Sequence, residues 1–321
     1  MAITGGLALE ALVSSCTTIT FKEEAPVIYP PLKGHKVQPP ENGCYIGFHP
    51  FKLRYPDYYK RRIGQMPKIF IPYYGRMDSP RPNFLTELVE SISDQGAILF
   101  VYIMIDTYIG LHGFKNLVDN KEFREDLTKY ARDIVKFGKP IFVCTMHELN
   151  GDWYVWGQQP KTAKKVWKDM WQIFEDNGAN EYATWVWEVF CQEASSWADY
   201  PERYYPGDNY VDWIGLSAYS RDGNPSGTKS FSLLAGSTYR EMRWKHRNKP
   251  IMMAEFAKTY GSYQARWLKK AFKTIKSCPG MKAAVFWNNY HLWIDDLHTL
   301  TDNSFGVYKE IMKDPHFIGA G

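Results

Sequence analysis

Two carboxylates carry the most chemistry in this sequence. Glu148 stands in the run His147-Glu148-Leu149-Asn150-Gly151-Asp152-Trp153-Tyr154-Val155-Trp156, and Glu255 stands in Ala254-Glu255-Phe256. Each comes at the end of a short apolar, β-branched run of the kind that forms a buried strand. A pair of carboxyl groups facing one cleft among Trp and Tyr rings suits cleavage of a glycosidic bond. One carboxyl must be protonated, to donate to the leaving oxygen; the other must be ionised, to attack the anomeric carbon. Trp153 and Tyr154 offer Glu148 the burial and aromatic packing that raise a carboxyl pKa. Their flat faces also match the apolar sides of sugar rings. A carboxyl separation of about 5–5.5 Å corresponds to a retaining mechanism.

Taken singly, each residue has a plainer reading. One Glu at a strand end is more often a salt-bridged structural residue. His147-Glu148 opens the zinc-protease pattern HExxH, but the residue four after His147 is Gly151, so that motif fails. Asn150-Gly151-Asp152 reads as a turn, which places Trp153 and Trp156 in a loop, where aromatic residues are more often functional than core. Trp185 and Trp187 are two apart on a strand and share a face. Cleft lining and packing against helices both stay open for them. His49, Asp78 and Asp106 also follow strands, with no specific role assigned.

The elements that must position these groups alternate along the chain. Strand-like runs cover residues 44–49, 68–74, 97–105, 140–147, 183–189, 211–219, 250–256 and 281–287. Helix-like segments cover 83–94, 121–137, 162–177, 237–246 and 263–277. Runs apolar on both faces, separated by helices, imply a parallel sheet covered on both sides. Eight such units match an α/β fold of the closed (β/α)8 TIM barrel type. A doubly wound open sheet is the alternative, but the first turn, Gly47-Phe48-His49-Pro50, lacks its phosphate-cradling glycines. In a barrel the chemistry lies at the C-terminal ends of the strands. Glu148 then closes strand four, Tyr219 strand six, Glu255 strand seven and Trp287-Asn288-Asn289 strand eight.

Composition narrows the classes further. The chain has 321 residues, 45% hydrophobic and 23% charged, which excludes a mostly disordered protein. Net charge is +4, with basic residues scattered as in Lys60-Arg61-Arg62 and Lys269-Lys270, so a nucleic-acid partner is not expected. No apolar run reaches the ~18 residues of a spanning helix. The five cysteines show no CxxC spacing and fit neither a zinc site nor a disulfide framework. Cys44, Cys144 and Cys191 read as small buried apolar residues. The first fifteen residues end in Val13-Ser14-Ser15-Cys16, similar to a lipoprotein cleavage box, although Glu10 interrupts the apolar stretch and no positive n-region precedes it. Residues 24–42 are Pro-rich and read as an extended arm. The expected organisation is a lead-in and arm over 1–43 and one catalytic domain over 44–321, acting as a monomer.

Three segments together resemble glycoside hydrolase family 26: HELNGDWYVW at 147–156, YYPGDNYVDWIGLSAY at 204–219 and KPIMMAEF at 249–256. Their order and spacing match too, and the resemblance runs over about residues 44–312. It implies a retaining (β/α)8 glycosidase with its carboxylates on strands four and seven and with no metal or organic cofactor. By position, Glu148 is then the general acid/base and Glu255 the nucleophile. His147 contacts the sugar hydroxyl beside the reacting centre. Tyr219 hydrogen-bonds the nucleophile, Trp153 and Trp287 shape the reacting subsite, and Tyr154 lines the cleft nearby.

Two departures from the family pattern stand out. The Arg usual shortly before the His-Glu pair is absent from Phe142-Val143-Cys144-Thr145-Met146, and the Trp-Ser-Pro-Asn-like turn after strand five is replaced by Glu188-Val189-Phe190-Cys191. Family frequency places β-1,4-mannan first as substrate. Asn150-Gly151 and Tyr154 are closer to the mixed-linkage β-1,3-1,4-glucanases, and β-1,3-xylan is a third option. A polysaccharide partner implies a secreted or cell-surface protein, with Cys16 as a possible lipid anchor. A carbohydrate-binding barrel without turnover is the competing class; only the missing Arg favours it.

Overall fold

The apolar runs pair side by side, all parallel, and the last returns to the first. The computed structural model describes residues 27–49, 56–71, 87–192, 198–220, 229–288, 290–291, 296–297 and 299–320. Within them the barrel strands are β1 (Cys44–His49), β2 (Ile69–Phe70), β3 (Ile98–Ile103), β4 (Ile141–Thr145), β5 (Ala183–Phe190), β6 (Trp213–Ser220), β7 (Ile251–Lys258) and β8 (Met281–Trp287). Each pairs with its successor. β8 closes on β1, with Tyr45 opposite Ala283 and His49 opposite Trp287. The expected (β/α)8 barrel is therefore the fold.

The outer layer is α1 (Pro56–Ile63), α2 (Glu87–Asp94), α3 (Asp106–His112), α4 (Lys121–Phe137), α5 (Pro160–Asp176), α6 (Phe231–Lys245), α7 (Gln264–Lys276) and α8 (Asp302–Ile311). α4 shows why such segments are legible. Asn120 caps it by accepting from the Phe123 N–H, and Gly138 ends it in the left-handed region at φ +65. Phe123, Leu127, Tyr130, Ala131 and Ile134 form its buried stripe. Three helices escape the sequence pattern. α1 and α3 are eight and seven residues long, too short for a stripe to declare itself. α8 is the third, with Thr301 as its cap. α6 begins at Phe231, six residues before its expected start at 237. Gly236 interrupts the pattern, while Ser230 caps the true start by accepting from the Leu233 N–H. The expected segments 68–74 and 83–94, together with Cys16 and Asp78, fall partly or wholly outside the described residues.

Trp185 and Trp187, left open by the sequence, both point outward. Trp185 packs against Trp167 and Phe174 of α5, at ring separations of 5.5 and 5.1 Å. Among the described residues no α-helix covers the next stretch. Two short turns, Pro201–Tyr204 and Asp208–Tyr210, connect β5 to β6. Tyr205 and His246 cover Trp187 instead. By alternation, Val186 and Glu188 then face the barrel interior.

That interior is a cluster of Phe100, Tyr102, Phe142, Cys144, Val186, Trp213 and Met252, among others, and Val37 of the arm belongs to it. The Val37 N–H donates to Thr184 Oγ1 at 2.8 Å, and Trp213 Nε1 donates to the Val37 carbonyl at 3.2 Å. Lys36 pairs with Asp212 at 2.8 Å beside them. The described part of the arm thus plugs the base of the barrel. Trp213 is fully buried at this point. Trp213→Ala is expected to cost about 3–5 kcal/mol, from lost burial and the residual cavity. Urea denaturation measures it, and a loss below about 1 kcal/mol would mean that this ring does not hold the base. Cys44, Cys144, Cys191 and Cys278 are all buried. Among the described residues no helix is long and apolar enough to cross a membrane.

Candidate active site

Glu148 does not extend β4, which ends at Thr145, but sits in the turn beyond it. Met146 and Glu148 both take positive φ, +50 and +51. That conformation costs a non-glycine residue on the order of 1–2 kcal/mol, so its surroundings must impose it. Asn150 does much of this. It is fully buried, donates to the carbonyls of Phe190 (2.9 Å) and Asp199 (3.0 Å), and accepts from the Phe190 N–H (2.7 Å). Its side chain therefore clamps the turn to the end of β5. Trp156 Nε1 donates to the His147 carbonyl at 3.0 Å. A Cβ at Gly157 would lie 2.1 Å from the Gly151 carbonyl oxygen, so only glycine lets the loop fold back.

The aromatic residues of this loop divide. Trp153, 40% exposed, meets Glu148 with its N–H rather than its face: Nε1 donates to Oε2 at 2.6 Å. Its ring stands edge-on to Phe190 at 4.8 Å. Tyr154 stacks on the buried Trp156, and its hydroxyl lies 2.6 Å from His147 Nε2. His147 is buried, with Tyr102 edge-on to its ring at 5.3 Å. Trp156 is core; Trp153 is the loop ring that faces out.

Glu255 lies inside β7 rather than at its end, since that strand runs to Lys258. The ladder is irregular around it. On β6 the register shifts between Leu216 and Ser217, so that Met253 and Glu255 have successive partners and Ala254 has none. A bulge of this kind re-aims a side chain. The Tyr219 hydroxyl donates to Glu255 Oε2, the bond expected of Tyr219. The Tyr102 hydroxyl, which bonds Glu188, lies nearby. Burial, then the neighbouring Glu188 and Glu148, push the Glu255 carboxyl well above the usual carboxylate range, and the two tyrosine hydroxyls pull it back.

Trp287 closes β8 and is almost buried, stacked on His49 with ring centres 3.9 Å apart. His49 thus supports the Trp287 ring. Asn288 is structural: it bonds the Tyr59 hydroxyl at 2.5 Å and the Leu300 N–H at 2.8 Å. Asn289 lies outside the described residues.

Sequence reasoning missed three members of this cluster: Glu188, Ser217 and Tyr102. Glu188 is fully buried inside the barrel. It is bonded by Tyr102 at 2.7 Å, by Ser217 at 2.8 Å and by the Cys144 thiol at 3.6 Å. Burial pushes its carboxyl up to about 7 against those three hydrogen bonds. Ser217 Oγ also reaches Glu148 Oε1 at 3.0 Å. Two signals were present in the sequence. Glu188 is the one charged residue of ATWVWEVF, and Ser217 shares the face of Tyr219 at period two.

A closed parallel barrel with buried carboxyls joined by hydroxyls at the C-terminal ends of its strands defines the class: a (β/α)8 protein whose cleft is built for acid–base work. The chain belongs to glycosyl hydrolase family 26, whose family model matches residues 114–293. It is similar to Endoglucanase H of Acetivibrio thermocellus, 31% identical over 219 residues, covering 64% of this chain and 23% of that protein. It is also similar to a mannan endo-1,4-beta-mannosidase of Bacillus subtilis, 26% identical over 117 residues, covering 33% of this chain and 31% of that protein. The chain thus spans only about a quarter to a third of the length of these relatives. The fold resembles the crystal structure of the GH26 domain of an endo-beta-mannanase/endo-beta-glucanase from Prevotella bryantii. The TM-score is 0.65, with 19% identity over 87% of this chain and 91% of that one.

Proposed function

We propose that the chain is a retaining endo-β-glycanase, with Glu148 as general acid/base and Glu255 as nucleophile. The observation that carries this reading is that Glu148, in the turn after β4, and Glu255, in β7, are both buried and lie near enough for the charge of one to raise the carboxyl of the other. In the first step Glu255 attacks the anomeric carbon while Glu148 gives its proton to the departing oxygen, leaving a glycosyl ester on Glu255. In the second, Glu148 takes a proton from the water that cleaves that ester, and both carboxyls return to their starting states. Tyr219 donates to Glu255 and favours its ionised form against burial. His147, oriented by Tyr154, faces the sugar hydroxyls, and Trp153 and Trp287 offer flat faces beside the reacting ring.

Of the two relatives named above, the one with the longer and more identical match is an endoglucanase, which supports a β-glucan as the first substrate to test. β-1,4-Mannan, favoured by family frequency, stands beside it on the similarity to the mannosidase. A polymer substrate also favours a secreted or surface location. Parallel digests of mixed-linkage β-glucan, mannan, xylan and cellulose test the reading, with reducing ends as the readout. Internal cleavage of one polymer is expected, with products of mixed length appearing early. No release from any of the four would leave a carbohydrate-binding barrel without turnover.

A further inference from the structure

Phe190, the last residue of β5, stands between the supports of the two catalytic carboxyls. Its backbone is held on both sides. The Phe190 N–H donates to Asn150 Oδ1 at 2.7 Å, and its carbonyl accepts from Asn150 Nδ2 at 2.9 Å. The next N–H, of Cys191, donates to the Ser217 carbonyl at 2.9 Å. The Phe190 ring lies within 18° of parallel to the Tyr219 ring, with centres 6.3 Å apart, and stands edge-on to the Trp153 ring at 4.8 Å. Tyr219 donates to Glu255, and Trp153 Nε1 donates to Glu148. A row of rings from three consecutive units of the barrel therefore leads from one carboxyl's donor to the other's.

Trp153 needs such support. It is 40% exposed and sits in the loop after β4. Among the described residues, Phe190 is the ring that packs against it. Gly151 supplies the other wall. A Cβ there would lie 2.5 Å from two carbons of the indole, so the ring occupies the space that a side chain at 151 would take. Phe190 and Gly151 thus form a slot, and the slot aims the indole N–H at Glu148 Oε2, 2.6 Å away. Tyr219 backs the far side of Phe190 and is itself tied to Glu255, so the Phe190 ring has no room to yield.

The use of this bond follows from charge. In the first step Glu148 gives its proton to the departing oxygen and becomes an anion as the glycosidic bond breaks. A donor already in place on Oε2 meets that charge without reorganisation. An indole free to rotate would first have to be ordered.

We propose that Phe190 is a positioning residue: with Gly151 it forms the slot that holds the Trp153 N–H on Glu148 for the acid step. The assignment rests on the reading of Glu148 as the acid/base.

Nitrogen–proton NMR spectra of the full chain test the slot without any substrate. The Trp153 indole signal is the one lost in Trp153→Phe. In the wild type it should be protected from solvent exchange in spite of the exposure of the ring. In Phe190→Leu it should exchange several-fold to about tenfold faster, the range that one lost aromatic pair allows. Unchanged exchange overturns the proposal while leaving the glycanase reading intact. Kinetics test the consequence. On the polymer that the wild type cleaves, kcat/KM of Phe190→Leu should fall about tenfold. On an aryl glycoside with an acidic phenol it should fall less than about twofold, because that leaving group takes no proton from Glu148. Trp153→Phe keeps a ring in the slot and removes the N–H. Adding Phe190→Leu to it should lower kcat/KM on the polymer by no more than about a further twofold. A merely structural Phe190 lowers both substrates alike, and its loss multiplies with that of Trp153→Phe; either result overturns the assignment. Should Phe190→Leu fail to fold, Gly151→Ala displaces the indole from the other side of the slot. It must show the same split between the two substrates, and equal losses there overturn the proposal.

Discussion

Glu255→Ala is expected to lower kcat on the cleaved polysaccharide by at least ~10⁴-fold, on the order of 5 kcal/mol or more of barrier. The variant removes the atom that bonds to the anomeric carbon, and nothing within reach replaces it. Tyr219 and Tyr102 are phenols whose hydroxyls burial pushes far upward, so neither supplies a competing nucleophile. The Cys144 thiol bonds Glu188 and is pushed upward in the same way. Binding is a separate matter. Trp153 is held by Glu148 and Phe190, and Tyr154 by His147, so affinity for the polysaccharide should persist within a few-fold. Isothermal titration with an oligosaccharide, beside a reducing-end assay, reads both quantities. Turnover within tenfold of the wild type would remove Glu255 from the nucleophile role.

Glu148→Ala should separate substrates by their leaving groups. On polysaccharide, whose departing sugar oxygen must be protonated, kcat/KM is expected to fall by ~10²–10⁴-fold. On an aryl glycoside with an acidic phenol, kcat/KM should change less than about tenfold, because the phenolate leaves without a proton. With that substrate kcat and KM should fall together, since the ester on Glu255 accumulates once no base activates the attacking water. Equal losses on both substrates would mean that Glu148 is not the acid. The variant also leaves Trp153 Nε1 and one face of Ser217 without their partner, so a thermal melt is needed alongside the kinetics. A melt near that of the wild type assigns the loss to chemistry rather than to collapse of the turn.

The two catalytic candidates and the rings beside them were legible for a local reason. The run from His147 to Trp156 carries its own turn, with Asn150-Gly151 as a visible break, and Glu255 follows an apolar strand of ordinary pattern. What the local reading could not supply was direction. Trp153 reads as a packing face for Glu148, yet it presents its N–H to the carboxylate. Asn150 reads as part of a substrate motif, yet its amide is spent on Phe190 and Asp199. Trp185 and Trp187 could have lined the cleft as readily as the helix interface. A strand apolar on both faces carries no phase signal, so alternation alone does not say which side is in.

The sequence by itself determined the eight-strand alternation, the barrel that follows from it, the placing of Glu148, Glu255, His147 and Tyr219 in or just beyond strands four, six and seven, and the burial of Cys44, Cys144 and Cys191. Each of these depends on apolar period, turn residues or a short motif, and all are properties of neighbours along the chain. Tertiary structure alone decided that Ser217 and Tyr102 hold Glu188 beside Glu148, that Val37 of the arm seals the barrel base, and that His49 backs Trp287. These depend on which strands lie side by side, on the register shift between Leu216 and Ser217, and on the closure of β8 onto β1. Residues 86 apart, such as Tyr102 and Glu188, meet only when the sheet has curled shut. No spacing along the chain encodes that meeting, because it is set by the circumference of the barrel and the tilt of its strands.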